Sequence, residues 1–400
     1  MLSMFKNQRS TKVMKVRINP MNTVSGDVDT TSYDAKKPRV VSHEETFLYK
    51  QTKPILNNLM AFGLFIPMKT LSVVSIECPG LLYSNIKIET DSTTKKPSSV
   101  PLMIYAVGVN MLAWLNVIRL MFLFQHDNTF GPILFGKVTF IGWSLFCAIT
   151  CSCLMRISLN SDCLHRFFLQ LEHLCYTFET TDRTGLTRKS AAKFTAIGWS
   201  LMILNITYCS FGLHATSIWE NAMYPFSLTS PYYKQMTVVY IVIHFYMSSA
   251  WGLSAVLTFI ICKIMYHQIE AFNDAVKDVT CGRKSLADNI QRLRSWHQQI
   301  CYIVDTADNM LCAKLGAGFV LYIMISCVVL YNLFWDDKVS ESIISLITGI
   351  TWLCLSIAHM ALFAIGGGVV NAALNGIKSS KDPVFNKVRI EIPHSAVMDS

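Results

Sequence analysis

The sequence predicts an all-α protein: a polytopic transmembrane helical bundle of about six full spans, preceded by a short interfacial helix, with its N-terminus cytoplasmic. Three observations predict it. First, six apolar runs (Pro101–Phe124, Pro132–Met155, Phe194–His214, Met236–Met265, Met310–Phe334 and Ser342–Ala373) are each long enough to cross the bilayer. A hydrocarbon core of about 30 Å takes roughly 20 apolar residues. Second, the chain is 52% hydrophobic and only 15% charged, against about 25% charged for a soluble protein. Third, the connectors alternate in charge. Gln125–Gly131, Ala215–Gln235 and Trp335–Glu341 hold only Lys234 and Lys338. The intervening connectors carry Arg156, Arg166, Arg183, Arg188 and Lys189, then Lys277, Arg283, Lys284, Arg292 and Arg294. An excess of Lys and Arg marks the cytoplasmic side, which places both ends of the chain there.

Taken in order, residues 1–43 are polar and basic and read as a disordered cytoplasmic arm. Residues 44–75 hold the interfacial or re-entrant helix. Its apolar stretch, Ile55–Ile66, is short, contains Asn57 and Asn58, and is stopped by Pro67 and Lys69. Glu77–Val100 is a polar linker with turn signals at Pro79-Gly80 and Lys95-Lys96-Pro97. Keeping Lys87, Lys95 and Lys96 inside means that the first apolar stretch does not cross. The bundle fills 101–373, with cytoplasmic helical extensions at 156–193 and 266–309, and 374–400 is a cytoplasmic tail. In the first extension Leu164, Phe167, Phe168, Leu171 and Leu174 form an apolar stripe. In the second, Leu286, Ile290, Leu293, His297, Ile300 and Val304 follow heptad spacing. This seam reads either as an oligomer contact, with Leu286, Ile290, Leu293, Ile300 and Val304 as the contact residues, or as a helix packed on its own subunit.

Composition also excludes functions. The net charge of +9 comes from loops facing anionic lipid headgroups, so the partner is the lipid bilayer and not nucleic acid. None of the 13 cysteines falls in the three outer loops, and Cys151-Ser152-Cys153 lacks zinc-like partners. They read as packing residues. Met1–Asn19 has no apolar stretch behind it to make a cleavable leader. The Asn205-Ile206-Thr207 sequon lies inside a span, out of reach of glycosylation.

No catalytic motif assembles and no cofactor is implied. The six runs contain no Asp or Glu, which argues against a proton-coupled transporter or an intramembrane enzyme. Basic, polar and aromatic groups do gather in the outer half: Lys137, Trp143, Tyr208, Tyr240, His244, Phe245 and Trp352 are the candidate ligand-binding residues, with Arg119 and His214 at the same level. An apolar pocket with a few polar groups suits a small molecule. The competing reading is an interfacial aromatic belt with snorkelling cations. His359 reads as a histidine bonded to a neighbouring helix, Lys263 and Lys314 as snorkelling, and Gly316-Ala317-Gly318 and Gly366-Gly367-Gly368 as helix packing.

Three segments carry a resemblance: Tyr49–Pro67 (YKQTKPILNNLMAFGLFIP), Leu293–Phe319 (LRSWHQQICYIVDTADNMLCAKLGAGF) and the exit of the last span (VVNAALNGIKSS). They resemble the invertebrate gustatory receptors of the insect chemoreceptor superfamily, diffusely over residues 44–380. The resemblance implies a plasma-membrane, ligand-gated cation channel, assembled as a homo- or hetero-tetramer with related subunits and opened by a small-molecule tastant from outside. That family's seventh span, with its Thr-Tyr…Gln-Phe signature, has no counterpart in the polar tail, so no pore residue is carried over. A transporter or membrane-embedded enzyme is the alternative. A G-protein-coupled receptor fits less well, because it needs an outside N-terminus.

Overall fold

A computed structural model describes residues 47–66, 100–125, 132–159, 163–180, 186–215, 230–280, 286–335 and 343–379, together with 72–74, 88–90, 223 and 225. The expected N-terminal arm and the tail beyond residue 379 lie outside these. The helices are α1 (Phe47–Ala61), α2 (Val100–Met121, continued by a 3-10 turn at Phe122–Gln125), α3 (Pro132–Leu159), α4 (Cys163–Thr177), α5 (Arg188–Ala215), α6 (Tyr233–Thr280), α7 (Leu286–Trp335) and α8 (Ile343–Ser379). Between α1 and α2, β1 (Ser72–Val74) pairs antiparallel with β2 (Ile88–Thr90), Val73 opposite Glu89. The molecule is otherwise a helical bundle, as the sequence predicts.

Each predicted apolar run falls largely on one long helix, the first passing into the 3-10 turn after Met121 and the last described from Ile343. Among the described residues, α2, α3, α6 and α7 are long and apolar enough to cross a membrane on length and composition. α6 has 48 residues and α7 has 50. At 1.5 Å per residue each is more than twice as long as a hydrocarbon core is thick. The C-terminal half of α6 and the N-terminal half of α7 therefore project beyond the spans, where α7 packs on α4.

α6 is the axial helix and contacts α1, α2, α3, α5, α7 and α8. Its apolar window is 78% buried, against 33% for that of α2. The exposed residues of α2, such as Ile104, Met111, Leu115 and Met121, are apolar, as a lipid-facing surface requires. α5 and α6 cross at backbone contact: a Cβ on Gly252 would lie 3.1 Å from the carbonyl oxygen of Gly198. By contrast, a Cβ on Gly316 or Gly368 would meet open space. At those two glycines the close packing expected from the sequence is not made.

α1 is a buried wedge. Leu48, Ile55, Leu56 and Leu59 enter the main core, against α4, α5 and α6. Its N-terminus is capped from α4, where Glu172 Oε1 accepts from the Phe47 amide at 3.0 Å. Asn58 accepts from Trp199 Nε1 at 2.8 Å, which accounts for an amide in an apolar stretch. The helix ends where Leu64 N–H reaches Leu59 O (2.8 Å) and Gly63 N–H reaches Met60 O (3.0 Å), with Gly63 at φ 66°. That is a Schellman stop, which asks for a residue in the left-handed region. α4 stops the same way: Thr180 N–H bonds Cys175 O at 2.8 Å, but the left-handed residue is Glu179, at φ 57°. α5 starts with reciprocal caps, Ser190 N–H to Thr187 Oγ1 and Thr187 N–H to Ser190 Oγ.

The heptad seam turns partly inward, with His297 left exposed. Ile300 is buried in the main core, with Leu293 and Val304 packed against it, and Ile290 is half-buried. The side chain of Leu286 lies outside the described residues. Beside the seam, Trp296 stacks on Phe178 at 4.6 Å and 6°. The opposite face of α7, with Tyr302 exposed, is the side turned away from the subunit.

Lys314 is corrected by its position. The sequence reads it as snorkelling at a span end, but the side chain is 2% exposed. It points into the bundle, because its side of α7 faces α6, and Nζ donates to Ser254 O and Thr258 Oγ1, both at 2.7 Å. Lys263 lies 5.1 Å over the ring of Phe194.

Candidate ligand site

Four of the seven predicted residues meet where α3, α6 and α8 converge. The Trp143 indole stacks on the His244 imidazole (4.5 Å, 29°), and Trp352 lies 6.4 Å from Trp143. Tyr240, one turn before His244 on α6, is 5.8 Å from it. The Arg119 guanidinium sits 5.5 Å over the Tyr240 ring and donates to Asn116 Oδ1 at 2.9 Å. Tyr208 borders the group from α5, where its hydroxyl accepts from Thr351 Oγ1 at 3.3 Å.

Lys137 and Phe245 are not brought into the group. Lys137 is buried and donates to Leu123 O at 2.9 Å, tying α3 to the carbonyls at the end of α2. Phe245 points from a different side of α6, 5.2 Å from Phe62 and toward α1. Consecutive helical residues differ by about 100° in direction, and here Phe245 is turned to Phe62 while His244 is turned to Trp143. The side chain of His214 lies outside the described residues.

Below Trp143 and Trp352 is a cavity of about 20 Å³, also lined by Asn205, Trp251, Tyr322, Ile325, Leu355 and Ser356. Its walls are aromatic with a few polar atoms. Trp251 Nε1 donates to Tyr322 Oη at 2.6 Å, and Trp251 stacks on His359 at 4.5 Å. Nδ1 of His359 is 3.1 Å from Leu355 O of its own helix, so that bond is made within α8, not to a neighbouring helix. Asn205 Nδ2 reaches Ser248 Oγ at 2.8 Å and His244 Nε2 at 3.2 Å. With Nε2 accepting from the amide, Nδ1 carries the imidazole proton. That Nδ1 is buried and has no hydrogen-bond partner among the described residues. The cavity holds about one water, far below the ~300–1,000 Å³ of an occupied small-molecule site. This is a closed arrangement.

Sequence reasoning missed Asn205, Trp251, Tyr322 and Ser356 as site residues. A usable signal was present. His244 and Trp251 are seven apart on α6, and Trp352, Ser356 and His359 repeat at four and three on α8, so each set lies on one helix face. What could not be read was that these two faces meet.

No protein-family model matches the sequence, nor does any curated relative. Solved structures do. The insect olfactory receptor OR5 from Machilis hrabei aligns with a TM-score of 0.56 at 15% identity, over 86% of this chain and 88% of that one. The same receptor in complex with eugenol aligns with a TM-score of 0.57 at 14% identity, over the same shares. The chain thus has the helical-bundle fold of an insect olfactory receptor.

Proposed function

We propose that this protein is a chemosensory receptor subunit of the gustatory type, part of a ligand-gated cation channel in the plasma membrane. The observation that carries the proposal is the closed aromatic cavity at the meeting of α3, α6, α7 and α8, inside a fold shared with a receptor solved with eugenol. A small tastant enters from outside and separates Trp143 from Trp352. Its aromatic or apolar body replaces their mutual contact, and an acceptor on it receives a hydrogen bond from the Nδ1–H of His244. Because the closed cavity admits only about one water, the ligand has affinity for the expanded state alone. Such a differential is what shifts a closed–open equilibrium. The displaced element is α8, and oligomerisation with like or related subunits passes its movement to the pore.

The test is a dose–response series in cells expressing the chain with whatever subunits its conductance needs. His244→Ala shifts the agonist midpoint at least ten-fold at unchanged surface expression, and Phe245→Ala leaves it in place. Equal effects of the two would remove the site.

A further inference from the structure

The cavity beside Trp143 and Trp352 is lined by a single side-chain amide, that of Asn205, and the bonds of that amide fix which half of it the cavity can use. Asn205 is 4% exposed. A side-chain amide offers hydrogens on Nδ2 and an acceptor at Oδ1. Both Nδ2 hydrogens are committed to α6: Nδ2 lies 2.8 Å from Ser248 Oγ and 3.2 Å from His244 Nε2. Asn205 therefore has only Oδ1 left for the cavity that it lines. The adjacent indole N–H is also spent, because Trp251 Nε1 donates to Tyr322 Oη at 2.6 Å.

The lining carries no formal charge. Among the described residues it consists of Trp, Tyr, Ile, Leu, Asn and Ser alone, and the six apolar runs hold no Asp or Glu. A ligand cation would be buried there without a counter-charge, which is costly. An ammonium group is therefore not the donor that Oδ1 receives.

We propose that this cavity selects a neutral hydroxyl-bearing aromatic, a phenol or a benzylic alcohol, and that Asn205 sets the preference by accepting the ligand O–H at Oδ1. The inference rests on reading this cavity as the ligand site. A ketone or an ether brings an acceptor only and leaves Oδ1 buried and unpaired, whereas a hydroxyl pairs it. A site of this kind discriminates through the polar group that the wrong ligand would orphan. A hydroxyl oxygen keeps its lone pairs, so it also meets the demand for an acceptor set by the Nδ1–H of His244. The preference survives expansion of the cavity. Trp352, Leu355 and Ser356 belong to α8, whereas both anchors of the amide belong to α6. When α8 is displaced, the amide keeps its orientation.

Fluorine NMR of para-trifluoromethylphenol and of its methyl ether, titrated into the full chain in nanodiscs, tests it, with empty nanodiscs correcting for partitioning. Both probes bind saturably, and the phenol binds tighter by about ten-fold. Asn205→Leu removes that difference while the ether keeps or gains affinity, which a misfolded chain cannot show. Equal wild-type affinities, a preference for the ether, a preference that survives Asn205→Leu, or no saturable binding would overturn the proposal. Selective phenol binding without any tastant-gated current would count against the receptor reading alone. A tastant response that depends on His244 but shows no preference for hydroxyls would count against this inference alone.

Discussion

At the scale of single residues, the bundle places polar groups where a partner is waiting. The bond from Trp251 to Tyr322 is buried and short. Tyr322→Phe orphans the indole N–H, which costs about 1–3 kcal/mol. A lowered melting temperature in detergent is the expected result, and an unchanged one would show that water replaces the hydroxyl. Glu179 occupies a left-handed position that Gly takes at the matching stop of α1. Glu179→Gly therefore stabilises by roughly 1 kcal/mol, read as a raised melting temperature in detergent. Outside the spans, burial lowers His173 and His297 below the ordinary 6.5, and for His173 a hydrogen bond donated to Gln299 partly offsets this. The folded state disfavours the protonated rings. Stability is therefore full above the unfolded value of about 6.5 and is lost as pH falls through it toward the lower folded values. The loss levels off once both states are protonated. His173→Gln with His297→Asn flattens that acid limb in pH-dependent melting.

At the scale of elements, the six runs were legible because hydropathy is a property of adjacent residues summed along the chain. The helical extensions were legible for a similar reason, since the stripe Leu164–Leu174 and the seam Leu293–Val304 repeat at helical spacing. The partner of each face was not. Ile300 and Trp296 face Phe178 and the rest of their own subunit, whereas heptad spacing alone suits a neighbouring chain equally well. Glycines show the same limit. Gly316 looked like a contact and meets open space, while Gly198 and Gly252 are more than fifty positions apart and touch. Gly252→Leu forces α5 and α6 apart and costs about 1–3 kcal/mol, and Gly316→Ala is expected to be neutral. Expression level and melting temperature of the pair check this.

At the scale of the whole molecule, two cavities lie along one helix. The one beside Trp143 and Trp352 is small and aromatic, and the one beside Phe178 and Trp296 is larger. α6 lines both. Orientation is tested separately: an epitope at the N-terminus is expected to stain only after permeabilisation. Staining of intact cells would invert both cavities.

The class of the fold and the positions of the long helices follow from local sums of hydropathy and charge, which a bilayer reads directly. Three-dimensional packing alone decided that Trp143, His244 and Trp352 meet, that Phe245 and Lys137 stand apart from them, that Lys314 is buried, and that three carboxylates from two helix ends share one cavity. Those outcomes depend on the rotation of each helix about its axis and on where helices cross, and both are set by contacts between residues far apart in the chain.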